Sequence, residues 1–126
     1  MEIPGHLRYT AEHEWVEVLS ESVIRVGITD YAQDALGDVV FVQVPTVGKE
    51  LEDHALLSEV ESTKSVAEVY APVAGMVSAA NEELATRPEL INQDPYGAGW
   101  FCEIAIADPK ALEGLLDAEA YRALTE

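Results

Sequence analysis

The stretch Leu57-Ser58-Glu59-Val60-Glu61-Ser62-Thr63-Lys64-Ser65-Val66-Ala67-Glu68-Val69-Tyr70 decides the fold. Each of its two arms alternates with a period of two residues, as strands do when one face is turned inward, and Thr63-Lys64 is the place to turn between them. Folding there sets Val60 opposite Ala67, Ser58 opposite Val69 and Glu59 opposite Glu68. One face of the hairpin is then small and apolar, and the other is acidic. Lys64 stands at the tip, where its flexible four-carbon stem reaches solvent. The chain has only two other lysines, Lys49 and Lys110. A solvated turn residue is the default reading of any hairpin lysine, so what sets Lys64 apart has to come from its surroundings.

Working outward, the N-terminal side reads as strands. His6 to Tyr9 is a short one, His13 to Leu19 a better one, and Val23 to Ile28 is its hairpin partner across the polar turn Ser20-Glu21-Ser22. At Asp30 the pattern changes to a helix of about two turns, with Asp30 as its cap, Gln33 at the capping-box position and Gly37 closing it after Leu36. Asp38 to Val44 is the most β-prone run in the chain and ends at Pro45, and Val47 to Leu51 turns into another short strand. Beyond the hairpin, Pro72 to Gly75 has turn composition, Met76 to Ala79 resumes as strand, and Asn81 is placed to cap a brief helical turn that Arg87-Pro88 interrupts. Asn92 to Gly99 reads as loop and Trp100 to Ile106 as the last strong strand. Asp108-Pro109 opens a helix to about Leu116, and Asp117 caps a final one to about Leu124. Residues 1–126 are therefore expected to form one mainly β domain, with a core at about 7–107 and C-terminal helices at about 109–124. A weak echo, Gly37-Asp38-Val39-Val40 against Gly75-Met76-Val77-Ser78, straddles Lys64 as two halves about a pseudo-twofold would.

Composition narrows the function. A chain of 126 residues that is 48% hydrophobic can bury a core. No apolar run approaches the ~20 residues that span a bilayer, and the first residues resemble neither a signal peptide nor a transit peptide. The expectation is a cytoplasmic bacterial protein or a mature mitochondrial chain. Acids outnumber bases 24 to 7, a formal charge of -17, so the mean field repels phosphate backbones and anionic lipid. Nucleic acid and membrane are excluded as partners on that ground. The single cysteine, Cys102, cannot form an internal disulfide; it shares a strand face with Trp100, Ile104 and Ile106 and reads as a buried, inert thiol.

Chemistry of the self-contained kind is missing. His6, His13 and His54 lack metal-ligand spacing, and there is neither a phosphate-binding glycine loop nor a nucleophile elbow. Acid pairs such as Glu59 and Glu68 are too common in so acidic a chain to indicate a catalytic dyad. A protein whose one distinctive group is a displayed lysine is expected to be a carrier and a substrate of other enzymes, with no catalytic residues and no metal of its own.

The words Tyr9-Thr10-x-Glu12-His13-Glu14-Trp15-Val16, Val26 to Asp34, Leu36 to Val42, Val60-Glu61-Ser62-Thr63-Lys64-Ser65 and Asn92-x-Asp94-Pro95-Tyr96-Gly97 through Gly99-Trp100 occur in order, from about Leu7 to Leu124. Together they resemble the H proteins of the glycine cleavage system. The resemblance implies a barrel-sandwich hybrid of two antiparallel sheets with short peripheral helices, and lipoic acid amide-linked to Lys64. It implies a monomeric lipoyl-lysine carrier that shuttles the aminomethyl group of glycine from glycine decarboxylase to aminomethyltransferase and is reoxidised by dihydrolipoamide dehydrogenase. A lipoylating enzyme is the fourth partner, and Glu61, three residues before Lys64, is the position it would recognise. Glu14, Ile28 and Glu68 match a groove that shelters the loaded arm, a carboxylate there being able to hold an ammonium. The chain departs from the family pattern at Glu12, where some relatives carry a small hydroxyl residue, at Ala35, where some carry histidine, and in Asp53 to Ser58, which lacks the usual glycines.

Other carriers fit less well. A biotin carrier would place methionines beside the lysine, where this chain has Thr63 and Ser65, and a lipoyl domain of a 2-oxoacid dehydrogenase usually has aspartate before the lysine. The alternatives that remain are a divergent lipoyl relay, an unmodified interaction module that needs no free Lys64 amine, and a hydrolase working through the acidic face.

Overall fold

The computed structural model describes residues 1–126. Nine strands form two antiparallel sheets. The larger runs in the order β1 (Arg8–Tyr9), β2 (Glu14–Val18), β3 (Val23–Ile28), β9 (Cys102–Ile106), β8 (Gly75–Ala80), β5 (Glu50–Leu51); the smaller runs β4 (Val39–Val42), β6 (Leu56–Ser62), β7 (Val66–Tyr70). The hairpin register expected from alternation is the one observed: Ser58 faces Val69, Glu59 faces Glu68 and Val60 faces Ala67. Ser58, Val60 and Val69 are buried, whereas Glu59 and Glu68 are exposed, as period-two geometry requires.

The inner faces of the two sheets share one apolar core, to which β3 gives Ile24 and Val26, β9 gives Ile104, and β6 and β7 give Val60 and Val69. A second cluster, Ile3, Leu7, Tyr9, Trp15 and Tyr121, lies on the opposite side of β2. It explains why Glu14, Trp15 and Val16 are all buried in succession: α4 (Ala118–Thr125) and the N-terminal segment cover the face of β2 that would otherwise meet water. Gly27 is needed at this point, because a Cβ there would lie 2.6 Å from the Trp15 ring.

The peripheral elements differ from expectation in detail. The cap of α1 (Asp30–Leu36) is Thr29, whose hydroxyl accepts from the Ala32 amide at 3.2 Å; Asp30 is the first helical residue and instead accepts from the Gln33 side chain at 2.7 Å. Gly37 closes the helix with φ +81°, a conformation L side chains rarely adopt. Asn81 does not cap a helix through its side chain but donates to the Ala98 and Trp100 carbonyls, both at 2.8 Å, and α2 (Glu83–Thr86) follows without a side-chain cap. A short helix unforeseen in the sequence, α3 (Leu90–Gln93), occupies the start of the stretch read as loop. The segment after Asp108 is a 3-10 helix, Pro109–Gly114, and Leu116 then bridges Tyr9 as a strand would. Asp117 caps α4 as expected, accepting from the Ala120 amide at 2.8 Å. The two copies of the sequence echo fall in different sheets, at β4 and β8. No helix is long and apolar enough to cross a membrane.

Candidate functional site: a lysine at the head of a groove

The turn that displays Lys64 is held by hydroxyl and backbone groups and needs no left-handed residue. The Ser62 amide donates to the Ser65 carbonyl at 2.8 Å, and the Ser62 hydroxyl oxygen accepts from the amides of Lys64 and Ser65 at 3.3 and 3.1 Å. Serine side chains favour this local geometry. The tip is also docked: the Thr63 amide donates to the Asp38 carbonyl at 3.0 Å, so the hairpin rests on the connection between α1 and β4.

Lys64 is exposed and has no ion-pair partner within 4.0 Å. Its stem does not simply project outward but lies over Gly37; a Cβ on Gly37 would sit 3.4 Å from Cε and 3.8 Å from Cδ of the lysine. The floor beneath that contact is built by Asn92 of α3. Its amide donates to the Gln33 side-chain oxygen (3.0 Å) and the Gly37 carbonyl (2.9 Å), and its Oδ1 accepts from the Val39 amide at 2.8 Å.

From this point a groove of about 280 Å³ runs along α1 between β2 and β7. Ala32, Ala35 and Leu36 of the helix line it, with Ser65 and Ala67 beside the hairpin tip. The structure brings Glu14, Ile28 and Glu68 together on its walls. Glu61 is not among them; it is exposed on the outer face of the small sheet, opposite Val66.

Glu14 is the innermost acid, only 2% exposed. Its carboxylate accepts from the Thr10 hydroxyl at 2.6 Å and the Tyr70 amide at 3.2 Å, tying β2 to β7. Burial raises its pKa, and these two hydrogen bonds offset only part of that. Glu68 remains exposed at the groove's rim. Three further lining residues were not assigned roles from sequence. Glu12 accepts from or pairs with His54 Nδ1 at 2.9 Å, with His54 stacked on Tyr70 at 4.6 Å and held at φ +66°. His13, at φ +74°, packs at a tilt against Tyr31, with the ring planes 31° apart and the centroids 4.5 Å apart, and its Nδ1 meets the Tyr121 hydroxyl at 2.7 Å. That hydroxyl also meets Thr29 Oγ1 at 2.7 Å, which links α4 to the groove wall and to the cap of α1. Burial lowers the His13 pKa, which favours the neutral ring. Cys102 is buried in the core, and burial pushes its pKa up to about 12, which disfavours the thiolate.

The model of the family described as glycine cleavage H-protein matches residues 7–126. The chain belongs to the glycine cleavage H-protein family. It is 57% identical over 130 residues to a glycine cleavage system H protein of Mycobacterium avium, covering 99% of this chain and 98% of that one. A Mycobacterium leprae protein of the same name is 56% identical over 125 residues, covering 96% and 95%. Among solved structures, the crystal structure of a glycine cleavage system H protein from Mycobacterium marinum superposes with a TM-score of 0.89 at 40% identity, covering 98% of each chain. The two-sheet fold is thus the barrel-sandwich hybrid of this H-protein family.

Proposed function

We propose that this H-family chain is a non-catalytic lipoyl-lysine carrier, with lipoic acid amide-linked to Lys64. The observation that carries the reading is the seat of that lysine: an exposed amine on a rigid tip whose stem already lies along Gly37, at the head of a groove lined by small and apolar side chains. A bulky residue at Ala32, Ala35 or Ala67 would fill the path. An apolar acyl arm fits a trough of this composition.

Held on Lys64, the lipoyl group would supply a redox-active dithiolane, suited to carrying the aminomethyl group of glycine between glycine decarboxylase and aminomethyltransferase and to reoxidation by dihydrolipoamide dehydrogenase. The chain's own residues display, seat and shelter. The Ser62 hydroxyl and the Asp38 carbonyl fix the tip, so the arm is tethered from one point and its end keeps a high effective concentration at each partner. Leu36, Ile28 and Val69 exclude water along the groove. Glu12, Glu14 and Glu68 place carboxyl groups where an ammonium-bearing cargo would end, and burial raises the Glu14 pKa, which favours its neutral form. The single domain spans residues 1–126, with Glu61 as a recognition position for the lipoylating enzyme, and the chain works as a monomer in the cytoplasm.

The test is glycine-dependent loading by glycine decarboxylase after enzymatic lipoylation. Wild type is expected to accept the one-carbon unit and Lys64→Arg to accept none while keeping its fold. Loading of Lys64→Arg at the wild-type level would remove Lys64 from the mechanism.

A further inference from the structure

The outer face of the small sheet carries a row of three side chains next to the lysine. Phe41 of β4 is the Cα partner of Glu61 of β6, which is in turn the partner of Val66 of β7. Cross-strand partners point to the same face, with Cβ atoms about 4.5–5.5 Å apart. Phe41 is 50% and Val66 60% exposed, and Glu61 is exposed between them. The row is the one closest to the tip: Val66 is two residues after Lys64, and Glu61 three before it.

Plain alternation does not account for Phe41 being outside. With Val39 buried, the next inward position would be Phe41, and the aromatic ring would join the core. Instead the register of β4 against β6 shifts between Val39 and Phe41, so that Val40 and Phe41 are both exposed and Val42 is buried. A bulge of this kind re-aims a side chain and interrupts the ladder. Here it turns a phenylalanine out beside the lysine, at the edge of the sheet. Scattered single apolar residues on a surface are ordinary, but adjoining ones around a functional group mark contact sites.

We propose that Phe41 and Val66, on either side of the recognition position Glu61, complete a docking row for the enzyme that acylates Lys64, an inference that rests on the carrier reading above. Two arguments select this occupant. The first is geometric: the acylating enzyme alone has to bring the unmodified Nζ into its own site. There the neutral amine attacks the carbonyl of an activated lipoyl donor, the C–N bond forms as the bond to the leaving group breaks, and the amine's proton departs with that group or to a base. Every other partner works on the far end of the arm and can stand off from the tip. The second is charge. None of the strands β4, β6 and β7 carries a lysine or arginine, while Asp38, Glu59, Glu61 and Glu68 are exposed around the row. The matching face has an apolar hollow for Phe41 and Val66 with a base directed at Glu61, where the flanking apolar groups exclude water and strengthen the pairing.

The test measures lipoylation of the unmodified full chain by intact mass over time, with a lipoylating enzyme and its acyl donor. Phe41→Ser, Val66→Thr and the double variant are compared with wild type and with Met76→Thr, an exposed apolar residue of the other sheet. The row predicts that kcat/KM falls by about tenfold or more in the double variant, chiefly through KM, and stays at the wild-type value for Met76→Thr. Once driven to full lipoylation, the double variant should take up the glycine-derived group at the wild-type rate. Val66→Thr keeps shape and β-branching, so it carries the test if Phe41→Ser does not fold. Wild-type lipoylation kinetics in the folded variants would overturn the proposal. So would a defect confined to the later loading step, which would give the row to glycine decarboxylase, or a concentration-dependent dimer that the variants abolish, which would give it to a second copy of this chain. Failure of the wild type itself to be modified at Lys64 would instead bring down the carrier reading.

Discussion

At the scale of single residues, Glu14 shows how the surroundings of a groove position limit its chemistry. Its match to the groove came through a family resemblance, and it does line the groove, yet its oxygens are already engaged by Thr10 and Tyr70 and burial raises its pKa. The folded protein therefore prefers the protonated form more than the unfolded chain does. That preference favours folding at pH below the ordinary value of 4.5 and is lost as pH rises through the raised folded value. Glu14→Gln keeps an acceptor for the Tyr70 amide and a donor for Thr10 without the buried charge. Its stability relative to wild type should accordingly increase as pH climbs from below 4.5 toward neutrality and then level off, as read by denaturant melts across pH. A difference that is flat with pH, or that falls as pH rises, would show Glu14 to be ionised without cost. Glu12 and His54 could not have been paired from sequence: they are far apart in the chain, and nothing local signals that a histidine would occupy a left-handed position.

At the scale of elements, the central hairpin was legible because one alternating pattern sets both register and facing, and a slip of one residue would bury Glu59 and Glu68. The shorter elements were legible only in outline. Thr29 and Asp30 are both good caps, and local propensity cannot choose between neighbours; the choice fell to Thr29, whose hydroxyl also reaches Tyr121. A four-residue helix such as α3 is too short to leave a period, and its purpose lies in tertiary contacts. Asn92 shows this, since its side chain holds Gln33, Gly37 and Val39 under the lysine seat. Asn92→Ala leaves the Val39 amide and the Gly37 carbonyl without that partner. It should cost about 2–3 kcal/mol in urea unfolding and should raise the mobility of the Lys64 tip in NMR relaxation. A loss well under 1 kcal/mol would mean that water replaces the side chain without penalty.

At the scale of the whole molecule, the formal charge of -17 is spread over both sheets and the helices, with Arg25 and Glu103 the only arginine–carboxylate pair within 4.0 Å. Such a surface repels itself, and the repulsion is screened as the Debye length falls from about 30 Å at 0.01 M salt to about 8 Å at 0.15 M. Over that range the melting temperature should rise, by roughly 4 °C for each ~1 kcal/mol of repulsion relieved in a chain of this size. A constant or falling value would show that local ion pairs outweigh the net field. The same field would favour basic faces on the enzymes that visit the carrier, with association rates that drop as salt is added.

The central claim is that Lys64 exists to be acylated and presented. Intact mass and peptide mapping of the protein after incubation with a lipoylating enzyme and lipoate, beside a Lys64→Arg control, test it most directly. The account predicts one lipoyl group, located on Lys64 and absent from a control that remains folded. An unmodified chain under conditions that modify a known lipoyl domain, or a lipoyl group on Lys49 or Lys110, would contradict it.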